Sequence, residues 1–173
     1  MTEYPPDAEL DQLRRLYATI DTVLERGVEG LDRAEPAISQ WSALQHLAHL
    51  ALANELSLQN VKSLLSGKGR LIQADGEPPP AARAVLAAGR LPKGTPAPRM
   101  VWPPEQVQWD FLLEWLEGNR TDIAALEPAT EAIANAPGRI PHQQLGPLSA
   151  GGCLRFCALH TRHHLEIVDA VLG

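Results

Sequence analysis

Apolar residues recur at steps of three and four in four separate stretches of this 173-residue chain, and no stretch alternates in the manner of a strand. Residues three and four apart share one face of a helix, so the pattern asks for helices that each bury one stripe. In the first stretch Pro5, Pro6 and Asp7 make a helix start, and Leu10, Leu13, Tyr17, Ile20 and Leu24 form the stripe, which ends near Gly27 to Gly30. The second is predicted to start at Ser39, after the break at Pro36, and to run to Gly67 and Gly69. It is apolar over more than half its circumference, which makes it central. Pro103 and Pro104 open the third, EQVQWDFLLEWLEGNRTDIAALE, with Val107, Phe111 and Trp115 expected on its inner stripe and a weak point at Gly118. The last is expected to be capped by Ser149 and to run through CLRFCALHTRHHLEIVDAVLG.

Eight of the 15 prolines lie between Gly67 and Pro104. Proline lacks the backbone donor that helices and sheets use, so this window reads as a long crossover. Within it AARAVLAAGR can form a short helix, and the rest is expected to run extended over the surface, with Trp102 anchoring it to the bundle. A loop holding Pro128, Pro137, Gly138 and Pro141 precedes the last helix. Four long helices with one long crossover between the second and third predict an all-α four-helix bundle, a single domain over residues 1–173. Bundles of this kind build metal sites between facing helices.

The charge balance narrows the partners. Fifteen Lys and Arg face 21 Asp and Glu, a net charge of -6, and no basic run stands out. A nucleic-acid binder needs clustered cations to neutralise phosphates, so that class is disfavoured. No stretch approaches the roughly 20 apolar residues of a membrane span. The opening MTEYPPDAELDQ has neither the basic nor the apolar region of a secretory signal, and a cytoplasmic protein is expected.

Five of the six histidines fall in two short segments. His160 and His164 are four apart, which on a helix leaves them about 40° apart in direction and about 6 Å apart along the axis. Such a pair can supply two neutral imidazole nitrogens to one divalent metal at about 2.0 to 2.1 Å. A third ligand must come from another helix, and the second helix offers His46 and His49, both embedded in Leu and Ala. Cys153 and Cys157 lie on the same stripe as the His pair, but the four span about 16 Å of helix and cannot share one ion. They are expected to be free thiols acting as small core residues. His163 is expected at the solvent or behind a ligand, and His142 in an exposed loop. Glu55, Glu166 and Asp169 are the nearest carboxylates in sequence. Trp41, eight residues before His49, could cover the end of the bundle, while Trp109 and Trp115 read as packing.

Two segments carry a family likeness: WSALQHLAH, with Trp41 and His49 eight apart, and HTRHHLEI, with His160, His163 and His164 in the pattern HxxHH followed by an apolar residue. The preceding HQQLGPLSAGGCLRF adds a Gly-Pro-Leu-Ser lead into the final helix. In these the chain resembles the DinB/YfiT-like superfamily of metalloenzymes. Glu166 stands where that pattern commonly has Gln, and the proline-rich crossover is long.

The resemblance implies a DinB-like four-helix bundle whose metal ligands are His49, His160 and His164, a choice that prefers His49 over His46. It implies a divalent ion, Zn or Ni, with open coordination positions, and a homodimer. Three neutral histidines fit zinc, nickel or cobalt alike. The implied activity is metal-dependent chemistry on a small molecule. A water activated by the ion makes a hydrolase, and a low-molecular-weight thiol in its place makes a thiol-dependent S-transferase. The alternative is a non-catalytic metal-binding or stress-related helical dimerisation protein.

Overall fold

The computed structural model describes residues 4–92 and 94–173; the first three residues of the opening segment lie outside it. In chain order its helices are α1 (Pro6–Leu24), α2 (Gly27–Leu31), α3 (Ala43–Ser66), α4 (Pro80–Ala88), α5 (Trp109–Leu126), α6 (Thr130–Asn135) and α7 (Ala150–Leu172). Four are long, α1, α3, α5 and α7, and they form the expected all-α bundle. Leu10, Leu13, Tyr17 and Ile20 of α1 are buried as one stripe, and Pro6 in the first turn needs no donor there.

α3 starts at Ala43, not at Ser39, because a capping box fixes it. The Gln45 amide donates to Ser42 Oγ at 3.2 Å and the Ser42 amide donates back to Gln45 Oε1 at 3.0 Å. It ends at Gly67, whose φ of +65° is the left-handed conformation glycine supplies at a helix terminus. Ser149 caps α7 as expected, accepting from the Gly152 amide at 3.0 Å. α4 falls within the predicted AARAVLAAGR segment, extended by Pro80.

α5 corrects two expectations. It begins at Trp109, and its buried face is Leu112, Leu116, Asn119 and Ile123. Phe111 is 56% exposed, while Val107 and Trp115 are only partly buried against the core. Asn119 is tolerated inside because its Nδ2 donates to the Ala51 carbonyl at 2.9 Å. Gly118 does not interrupt the helix.

α7 packs along α3 and α1, and α5 packs along α3 and α1, so the helices surround the core in the order α1, α7, α3, α5. Pairings along the interfaces give the directions. Gln45 near the start of α3 donates to the carbonyls of Pro104 and Glu105 just ahead of α5, and Lys62 near its end meets Asp122 near the end of α5 at 2.5 Å. α3 and α5 therefore run the same way. The chain must return over the length of α3, about 36 Å for 24 residues, before α5 can begin, and the proline-rich crossover makes that journey.

A short antiparallel hairpin, β1 (Ile140–His142) with β2 (Gly146–Leu148), was not expected from the sequence. Its turn needs Gly146, at φ +73°, where an added Cβ would lie 2.8 Å from Pro79 Cδ. Trp102 also departs from expectation. It is 53% exposed, its Nε1 donates to the Ala97 carbonyl at 2.8 Å, and the Arg99 guanidinium lies 5.7 Å from its ring centroid. It folds the crossover onto itself, and the buried neighbour Val101 makes the contact with the bundle. Cys153 and Cys157 are free and buried in the core. Burial pushes the Cys153 thiol up to about 12 and Cys157 in the same direction, so neither is a ready nucleophile.

Candidate metal centre

α3 and α7 run antiparallel across their shared interface, so His46 meets His164 and His49 meets His160. His49 Nε2 lies 3.1 Å from His160 Nε2, and His46 Nδ1 lies 3.0 Å from His164 Nδ1. One ring nitrogen each from His49, His160 and His164 falls within a group no wider than 4.8 Å, with all three side chains buried. Neighbouring ligands around an ion with bonds of about 2.0 to 2.1 Å lie roughly 3 Å apart, so the His49–His160 separation already suits one. The structure brings together the three histidines the sequence pointed to.

The hydrogen bonds select which nitrogens are bare. A carbonyl only accepts, so the 2.7 Å contact between His49 Nδ1 and the Val101 carbonyl places the proton on Nδ1 and leaves Nε2 with its lone pair facing His160. For His164 to present bare Nε2, its Nδ1 must carry the proton and donate to His46 Nδ1. His46 Nε2 then donates to Ser39 Oγ, 2.8 Å away, which also accepts from the Trp41 amide at 3.1 Å. His160 Nδ1 is buried without a hydrogen-bond partner. His49 and His164 thus fit a divalent ion, since neutral imidazoles with their far N–H groups tied to acceptors are what such ions select, whereas His160 has no such acceptor.

Burial keeps the cluster neutral. Desolvation pushes His46 down to about 4 and His160 and His164 well below the ordinary 6.5, with neighbouring histidines adding to the effect. His49 is lowered by the same cause, partly opposed by its bond to the Val101 carbonyl.

A chamber of about 570 Å³ opens over the histidines. The Trp41 ring stands in its wall, 5.0 Å from His49 and 5.4 Å from His46, and Phe156 stands 5.3 Å from His160. Crossover residues 94–98 and Val101 contribute to the lining. His142 is turned inward, contrary to its expected place in an exposed loop. Its ring packs edge-on against Phe156 at 4.3 Å, and its Nδ1 accepts from the amides of Gln144 and Leu145, each at 3.2 Å. His163 is half-buried on the chamber wall with its ring 5.2 Å from that of His164. Glu166 also lines the chamber, while Glu55 and Asp169 are exposed and do not. Sequence reasoning missed the Val101 carbonyl and the link from His46 to His164. The i to i+3 spacing of His46 and His49 signals that both can face α7; nothing in the sequence marks Val101.

A bundle that gathers three buried imidazoles at the floor of an apolar chamber defines a protein able to hold a metal ion between facing helices. The chain belongs to the DinB superfamily, whose family model matches residues 7–168. No curated protein and no solved structure matches it. No helix among the described residues is long and apolar enough to cross a membrane.

Proposed function

We propose that the protein is a metal-dependent enzyme acting on a small molecule, with His49, His160 and His164 holding a divalent ion, zinc or nickel. The observation that carries this reading is the convergence of three buried, neutral imidazoles at the floor of a chamber large enough for a drug-sized ligand. Such an ion supplies Lewis acidity and lowers the pKa of a water or thiol that shares its coordination. The chain supplies the rest. Val101 and His46 hold the proton on the outer nitrogens of His49 and His164, and Trp41 and Phe156 exclude bulk water from the inner face. A low-molecular-weight thiol as co-substrate makes the reaction an S-transfer, and water makes it a hydrolysis; the family likeness favours the thiol. Cytoplasmic location accords with this chemistry.

Elemental analysis of purified protein, combined with anomalous scattering between α3 and α7, tests the reading. It expects one divalent ion per chain, lost in His160→Ala, and turnover of electrophiles with added small thiols. Absence of a stoichiometric ion, or its full retention in His160→Ala, overturns it. The competing reading, a non-catalytic metal-binding protein that dimerises, draws on α5, where Phe111 is 56% and Leu113 37% exposed. A homodimer through this face is compatible with either reading, and light scattering measures it; a bound ion without any turnover across the thiol and hydrolase screens favours the second.

A further inference from the structure

The walls of the chamber discriminate by charge. Around its circumference stand Ala53, Leu56, Val85, Leu91 and Ile167, closed by prolines of the crossover. Histidines apart, Glu166 is the single ionisable side chain among the described lining residues, and no Lys or Arg joins them. The mouth is apolar too. Ile38, Leu56 and Met100 are 46%, 43% and 74% exposed, and all three line the chamber. Arg90 and Arg162 line a separate polar cleft of about 200 Å³ that borders the chamber at Leu91, His163 and Glu166. Away from the three histidines, a carboxylate or phosphate entering the chamber would leave water without a cation among the described lining residues to meet it, and the nearest formal charge on the wall, Glu166, would repel it.

We propose that the chamber takes an uncharged, predominantly apolar molecule, with any negative charge confined to the atom that faces His49, His160 and His164. This rests on the chamber being the substrate site and deepens that reading by naming the substrate class. Aromatic and aliphatic electrophiles fit; sugar phosphates, nucleotides and dicarboxylates do not.

Two fluorescent probes with the same ring body test it. N-phenyl-1-naphthylamine is neutral, and 1-anilinonaphthalene-8-sulfonate differs from it by one sulfonate. Both are titrated into the full chain, first loaded with zinc and again after chelator treatment, so binding is read independently of any turnover. The neutral probe is expected to bind at one site per chain and to be preferred by about tenfold or more in both forms. Leu56→Arg, an exposed rim position, is expected to narrow that preference by admitting the sulfonate. Ala53→Trp, which fills the chamber, is expected to abolish binding of the neutral probe. Equal or tighter sulfonate binding by the chelator-treated protein overturns the proposal where it survives Arg162→Ala; sulfonate binding lost in that variant belongs to the neighbouring cleft and leaves the chamber's preference standing. Absence of saturable binding by the neutral probe overturns it as well. A protein that holds no metal yet prefers the neutral probe would refute the enzyme reading and leave the substrate class standing.

Discussion

His46 Nδ1 lies 3.0 Å from His164 Nδ1, and the other nitrogen of the same His46 ring lies 2.8 Å from Ser39 Oγ. His46 thus joins the loop ahead of α3 to a proposed metal ligand on α7. Partners of this kind fix a ligand's tautomer and orientation, and their loss weakens metal binding by about 10- to 100-fold. His46→Ala is expected to show that loss in a competition titration with a chromophoric chelator. His46→Asn, whose Oδ1 can accept where Nδ1 does now, is expected to retain most of the affinity.

An ion that binds the folded chain and not the unfolded one stabilises it by mass action, about 2.7 kcal/mol at a hundredfold excess over Kd. Thermal melts with added zinc or nickel are expected to rise in Tm and to fall again with chelator. His160→Ala, lacking one donor of the group, is expected to melt at the same temperature with and without metal. A wild-type Tm indifferent to both ions would contradict the ligand assignment.

His142 is held down to about 4 by burial beside Phe156, against an ordinary value of 6.5. The fold therefore favours the neutral ring, and below pH 6.5 the unfolded chain takes up the proton more readily. The contribution is complete above about pH 6.5 and is lost as pH falls toward 4. Urea midpoints across this range should decline with acid, and less steeply in His142→Gln. Parallel slopes in the two proteins would remove His142 as a cause.

Asn54 is fully buried and donates both Nδ2 hydrogens, to the Tyr17 hydroxyl at 2.9 Å and to Thr161 Oγ1 at 2.8 Å. It ties α1, α3 and α7 together one level away from the histidines. Thr161 also donates to the Cys157 carbonyl at 2.8 Å, and Asn119 is a second side-chain partner of Tyr17, so removing Asn54 takes one hydrogen bond from each of Thr161 and Tyr17. Asn54→Ala is expected to lower stability by about 1 to 3 kcal/mol in equilibrium denaturation while leaving metal stoichiometry unchanged.

Ser42→Ala removes the side-chain half of the capping box that starts α3. Loss of such a cap typically destabilises by about 1 kcal/mol. Denaturant midpoints should report it, and circular dichroism should show the bundle intact.

Much of this architecture was legible in the sequence because helices of a bundle declare themselves by period. The stripe of Leu10, Leu13, Tyr17 and Ile20 is buried as read, Ser149 caps its helix, and His49, His160 and His164 converge. The failures have physical causes. On α5 the bulk of Phe111 and Trp115 suggested burial, whereas the true face runs through Leu112 and Leu116 and then Asn119, whose polarity hid the stripe until its bond to Ala51 was visible. The hairpin is three residues a side, too short for alternation to register. Trp102 finds its partners within the crossover, and the residue that reaches the bundle is the smaller Val101. His142 was expected in an exposed loop because its burial depends on the short hairpin turn and on the packing of that turn against Phe156, neither of which has a sequence signal.

The bond from His49 Nδ1 to the Val101 carbonyl joins two duties in one segment. The crossover exists because α3 and α5 point the same way, and any chain with this topology must spend residues on the return. Here that obligatory return both lines the chamber and sets the proton on an inner histidine. A change along residues 94–101 that moves the Val101 carbonyl therefore alters both the chamber wall and the hydrogen bond that holds the proton on His49, so the shape of the wall and the state of that imidazole are inherited together.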